Sequence, residues 1–303
     1  MTSPSPDNPG ARNWALIMAL GVIWGAAFLG VRISLDGFGP WQVAALRTSI
    51  AAVALVIGGA LLRQPVWAIT SVRAWIYCAA IGAGSTALPF LLLAWGQQHV
   101  PSAFAGVAMG AVPLIVLPLV FVFSPEEGIG PRRIAGTALG FVGLIILVGP
   151  GALDRTGSNL ETLGRLACIG AAGCYAIGSV LTRRSPAMPP LAFAAATILV
   201  AAIVLGPLAL WFEGWPEAWP TRPSLGLLYT ALLPTAVAAF IRVRVITTAG
   251  SLFMSLVSYM VPIWAVIFGV TLLDESLPPQ IFIALAIILV GIGLSQWSTL
   301  RRR

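Results

Sequence analysis

Arg47 is the one formal charge that falls well inside a long apolar run of this chain, and it sets the first question of chemistry. It lies about six residues from the end of its run, roughly 9 Å deep at the helical rise of about 1.5 Å per residue. A guanidinium at that depth can grip a carboxylate through two parallel N–H donors, snorkel along its own stem to the nearer interface, or tie down a backbone carbonyl as scaffold. His99, the sole histidine, ends the third run after Gln97 and Gln98. It offers either a proton relay, because imidazole titrates near neutral pH, or a plain cap at the interface. No Asp or Glu stands in the middle of a run. A proton antiporter needs such a carboxylate, so the pattern points to a facilitator or an exchanger. Ser251, Ser255, Ser258 and Tyr259, with Pro262 beyond them, recur at helical spacing and share one face of an otherwise apolar helix. Hydroxyls in hydrocarbon must meet protein or a water-filled cavity, so this face either lines a cavity or bonds a neighbouring helix. Paired carboxylates and metal-ligand spacings are missing, and Cys78, Cys168 and Cys174 each sit in a run as small apolar filler. No catalytic residue, metal or cofactor is expected.

The elements that position these groups follow from composition. Hydrophobic residues occupy 58% of the 303 positions and charged residues 9%, with a mean hydropathy of +0.95. That excess of apolar surface excludes a soluble domain. At about 20 residues per crossing, ten spans are predicted, over 14–32, 41–61, 75–95, 102–123, 132–149, 163–182, 190–211, 225–243, 251–272 and 279–297. The first run is too long for a signal-peptide core and is kept as helix 1. Every Lys/Arg position is arginine; with a cytoplasmic amino terminus, twelve of the seventeen fall in inside segments and four in outside ones. The positive-inside rule then puts both termini in the cytoplasm, and the same loop placement argues against a nucleic-acid partner. Trp211, Trp215 and Trp219 form either an interfacial belt or an aromatic lid.

The chain also states one pattern twice. Pro101 to Pro113 followed by Glu126 returns, 149 residues later, as Gly250 to Pro262 followed by Glu275, and the run from Trp24 to Arg32 aligns with Tyr175 to Arg183, which carries Ser179 opposite Phe28. Five spans per copy is an odd number, so the second copy must lie upside down relative to the first. The expected organisation is a tail over 1–13, a first repeat over 14–149, a linker over 150–162, a second repeat over 163–297 and a basic tail over 298–303. The fold class is therefore an all-α integral membrane protein with ten transmembrane helices in two inverted five-helix repeats. Pro89, Pro113, Pro118, Pro234 and Pro262 interrupt the spans, and each removes a backbone donor; they serve either as hinges or as ordinary membrane-helix kinks.

Trp24-Gly25 with Phe28, the stretch Ala45-Leu-Arg47-Thr-Ser-Ile-Ala51, Pro113, Ala249-Gly250, Tyr259-Met-Val-Pro262 and the acidic turn Asp274-Glu275 resemble the drug/metabolite transporter superfamily, in its EamA-type ten-helix branch. The chain departs from that pattern at Asp274, where the family has Gly, and at Ser124-Pro-Glu-Glu127. The resemblance implies a central cavity drawn from helices 1, 3, 4, 6, 8 and 9. Trp24, Phe28, Arg47, Phe90, Trp95, Met109, Tyr175, Ser179, Ser255, Ser258 and Tyr259 are the candidate lining residues. Small residues around Ser102, Gly106, Met109 and Gly110 would face the hydroxyls of helix 9. Glu126 and Glu275 are expected to cap turns or to form a gating ion pair.

The resulting expectation is an inner-membrane transporter, not an enzyme, that moves small organic metabolites outward by alternating access, with amino acids and related compounds as leading cargo. A multidrug or lipophilic-compound exporter is the alternative, and an integral membrane enzyme a more distant one. Its partners are a small-molecule substrate and the bilayer; monomer and homodimer both stay open.

Overall fold

A computed structural model describes residues 10–123, 131–148, 159–254 and 256–300. Ten helices cover the predicted spans. They are α1 (Gly10–Ser34), α2 (Pro40–Leu61), α3 (Val72–Gly82 continuing through Ala83–Ala87 into Leu88–Gly96), α4 (Ser102–Ala108, then Ala111–Phe123) and α5 (Pro131–Val148). The second set is α6 (Asn159–Arg184), α7 (Pro190–Phe212), α8 (Thr221–Ala231 continuing through Leu232–Val237 into Ala238–Met254), α9 (Val257–Leu272) and α10 (Pro279–Leu300). Six of these are long and apolar enough to cross a membrane, and four shorter apolar helices complete the set. The protein is thus an all-α, multi-pass membrane protein.

The inversion can be read from the ends of α2 and α7. The side chain of Gln64, just past α2, accepts the Leu191 N–H at the start of α7 at 3.1 Å. The side chain of Glu213, just past α7, accepts the Gln42 N–H at the start of α2 at 2.9 Å and that of Trp41 at 3.3 Å. Both pairs are related by the shift of 149, since Gln64 corresponds to Glu213 and Gln42 to Leu191. Equivalent helices of the two copies therefore run antiparallel, and each satisfies the orphan amino-terminal donors of the other.

Two further equivalent pairs cross in the same sense. In α10, a Cβ on Gly291 would meet the Gly140 backbone of α5 at 2.5 Å, so only glycine permits this approach. In α4, Gly106 faces Ala265 of α9 with no room for a side chain, and Phe28 of α1 closes over the same contact.

Both copies also widen into a π-helical turn at the same place, Ala83–Ala87 in α3 and Leu232–Val237 in α8. Proline accounts for it. Pro89 and Pro234 cannot donate to the carbonyl four residues back, which breaks the regular ladder and lets an extra residue into the turn. Likewise, α4 tightens to i→i−3 bonds at Met109 and Gly110 ahead of Pro113, and the start of α9 does so at Leu256 and Tyr259 ahead of Pro262.

One boundary differs from expectation. Residues 244–250 were expected to form the turn between spans 8 and 9, yet helix runs through them to Met254, and α9 starts at Val257. In the first copy the corresponding turn ends at Pro101, which forbids helix there; Gly250 at the equivalent position lets the helix continue. Consequently the hydroxyl face from Ser251 to Pro262 is not one continuous stripe. Ser251 belongs to the end of α8, Ser258 and Tyr259 to α9, and Ser255 lies outside the described residues, as does Glu126.

Candidate functional site

The site grows from a backbone defect. Pro234 has no N–H for the Thr230 carbonyl, and the Thr235 hydroxyl donates to that carbonyl at 2.8 Å. Having donated its proton inward, Thr235 Oγ1 keeps its lone pairs for another donor, and Arg47 Nε takes that place at 3.0 Å. The guanidinium carbon lies over the ring of Phe90 of α3, 3.8 Å from its centroid, which is close enough for a cation–π attraction. Arg47 is 8% exposed, so it does not snorkel to an interface but stays among α2, α3 and α8. Tyr175 and Tyr229 lie within electrostatic reach of its charge. Among the described residues the two ion pairs are Arg32–Asp36 and Arg165–Glu161, and no carboxylate reaches Arg47.

Trp24 belongs to the same constellation from α1. Its indole N–H donates to the Pro234 carbonyl at 3.0 Å, while the Tyr229 hydroxyl of α8 donates back to the Ile23 carbonyl of α1 at 3.1 Å. These reciprocal bonds pin α1 to the π-helical turn of α8 and commit the polar ends of both aromatics, while the Trp24 ring packs against the main core. On the outer side of Tyr229, a groove of about 470 Å³ between α1 and α8, lined by Ala26, Leu29, Ile33 and Leu225, is almost wholly apolar.

The other candidate residues divide. Met109 and Tyr259 pack against the main core from opposite copies, and Tyr175 does so from α6. The Tyr259 hydroxyl is sealed from solvent and has no hydrogen-bond partner. Phe28 is buried in the α1–α4 contact. Ser179 donates to its own helix at Ala176, 2.7 Å away, and Ser258 is partly buried on α9. Trp95 and His99 stand apart from the Arg47 group, stacked edge to face at the end of α3 with centroids 4.8 Å apart. Of the prolines, Pro89, Pro234 and Pro262 are buried, Pro113 is partly buried and Pro118 is exposed on α4. Glu275 was expected to cap the turn before its own next helix. Instead its carboxylate accepts the Ser102 N–H at 2.7 Å and the Ala103 N–H at 3.1 Å, capping α4 of the other copy.

Sequence reasoning missed Thr235, Tyr229, Gln64 and Glu213. Thr235 was within reach of the repeat argument, because Ser85-Thr86 and Pro234-Thr235 coincide under the shift of 149. Gln97 was named only for its neighbour: it is 1% exposed, and neither atom of its amide has a partner.

A family model described as the EamA-like transporter family matches residues 13–149 and again 162–296. The "Probable terminal-alkyne amino-acid exporter" of Streptantibioticus cattleyicolor is 27% identical over 299 residues, covering 96% of this chain and 95% of that protein. The "Uncharacterized inner membrane transporter YedA" of Escherichia coli K12 is 30% identical over 294 residues, covering 92% and 88%. A solved crystal structure that is 22% identical shares the fold, with a TM-score of 0.69 over 97% of this chain and 99% of that one.

Proposed function

The chain belongs to the EamA-like transporter family, within the drug/metabolite transporter superfamily, and on that premise we propose that it moves small organic metabolites across the cell inner (plasma) membrane. In this reading the cargo is amino acids or related compounds, and the protein works as an exporter or facilitator. Both termini are cytoplasmic in this reading, as the arginine distribution supports. The observation that carries the reading is the buried guanidinium of Arg47, set at a contact between the two inverted repeats against the Phe90 ring, with no carboxylate among the described residues upon it. The near end-to-end likeness to a protein named as a probable amino-acid exporter supports the same cargo class.

Alternating access in this scheme uses the tightened turns ahead of Pro113 and Pro262, which give α4 and α9 matching points of flexure. Export of lipophilic cations fits less well, because a buried guanidinium repels them. Membership of a transporter family favours transport over an enzymatic role. Flux of radiolabelled amino acids from proteoliposomes tests the proposal. Efflux above that of protein-free vesicles for at least one member of a broad panel is expected, and folded protein that moves none of them would refute it.

A further inference from the structure

We propose that Arg47 is the receptor for a carboxylate on the transported solute, so that the cargo consists of carboxylic acids or zwitterions with an apolar body, and not of amines or neutral compounds; this rests on the transport reading above. The question is whether the fold needs the arginine for itself. The second repeat answers it, because it builds the same junction without one.

Under the shift of 149, Thr48 of α2 corresponds to Thr197 of α7. Thr48 donates to the carbonyls of Ala44 and Ala45, and Thr197 donates to those of Phe193 and Ala194, so the register holds to the atom. The residue before Thr197 is Ala196, fully buried where α7 packs on the π-helical turn of α3, just as α2 packs on that of α8. Thr86 stands where Thr235 stands in the other copy. A buried alanine therefore closes this junction in one repeat, while the other carries a buried cation that no carboxylate among the described residues neutralises. Burying an unpaired charge is strongly unfavourable, so a cation that the architecture does not require is explained by a ligand that pairs with it.

The local geometry selects the ligand. Thr235 holds Nε and the Phe90 ring lies against the guanidinium carbon, so the group is held at two points. The hydrogen bond that Arg47 makes among the described residues runs from Nε, and its two Nη groups are not engaged there. Two coplanar N–H donors match the two oxygens of a carboxylate, and one positive charge balances one negative charge; a phosphate dianion would call for a second cation. Trp24, Phe90 and Tyr229 are partly buried aromatic side chains on the neighbouring helices, and in this proposal their uncovered edges meet the apolar body of the solute.

The test is ligand-induced stabilisation of the full-length protein in nanodiscs at neutral pH, with two probes that differ only at the head group, 3-phenylpropionate and 3-phenylpropionamide. The acid is expected to reach half-maximal stabilisation at a concentration about tenfold or more below that of the amide. Arg47→Gln is expected to bring the two concentrations together. Thr235→Val, which keeps the charge but frees Nε, is expected to lower the ratio about threefold to tenfold. A wild-type ratio near one overturns the proposal whether or not Arg47→Gln folds, and so does an acid preference that survives in Arg47→Gln. Flux of the panel of solutes separates the two readings. Transport with no preference for acids sinks the carboxylate receptor alone, whereas acid-selective stabilisation without any flux sinks the transport reading alone.

Discussion

Asp274 sits in the left-handed region at φ 52°, where the chain leaves α9 and turns so that Glu275 can reach back to α4. The family pattern that the sequence resembles has Gly at this point, and the conformation accords with it: an L side chain is strained there, though Asp tolerates it better than most. Asp274→Gly is therefore expected to raise stability by about 0.5–1 kcal/mol, read as an increase in the melting temperature of the purified protein. No increase would mean that the Asp side chain makes a compensating bond. Trp24→Phe keeps the ring but removes the donor to the Pro234 carbonyl, and a loss of about 1 kcal/mol is expected in the same assay. Residue types were legible in the sequence here, but their partners were not. The position of Arg47 was evident from its isolation in an apolar run. Its bond to Thr235 depended on a proline-induced π-helical turn that no periodicity reveals.

At the scale of elements, two helices of equivalent position cap each other, but unequally. Glu213 is charged and takes two N–H donors of α2, whereas Gln64 is neutral and takes one from α7. Glu213→Ala is expected to cost about 1–2 kcal/mol and Gln64→Ala about half of that, measured by thermal unfolding in nanodiscs; equal losses would contradict the cap assignment. Neither cap was readable from local patterns, since a capping box joins residues three apart and these residues lie more than 120 apart. The close approach of α5 and α10 is readable from the chain, because Gly136, Gly140 and Gly143 on one helix and Gly291 and Gly293 on the other are spaced for close helix contact. Gly291→Ala would push into the Gly140 backbone, which cannot rotate away as a side chain can, and is expected to destabilise the protein by about 1–3 kcal/mol.

For the whole molecule, the shift of 149 carried most of the architecture, because antiparallel copies follow from an odd number of spans and the helix caps show them directly. The turn between spans 8 and 9 escaped, because the residue that ends the helix in the first copy, Pro101, has Gly250 as its counterpart. At the end of the bundle that holds Glu275, α4 and α9 are closed: Gly106 meets Ala265, and Ser102 is 1% exposed. Alternating access requires that this end open in another state. In a background with the native cysteines replaced, Ser102→Cys is expected to react with a membrane-impermeant maleimide at a rate that changes when substrate is added; a rate indifferent to every substrate would argue against opening there. The central claim is that a solute passes between the two repeats, and counterflow measures this most directly. Proteoliposomes preloaded with an unlabelled amino acid and diluted into the labelled one should transiently accumulate label above equilibrium. Folded, correctly inserted protein that gives only the equilibrium level for the whole amino-acid and metabolite panel would contradict the account.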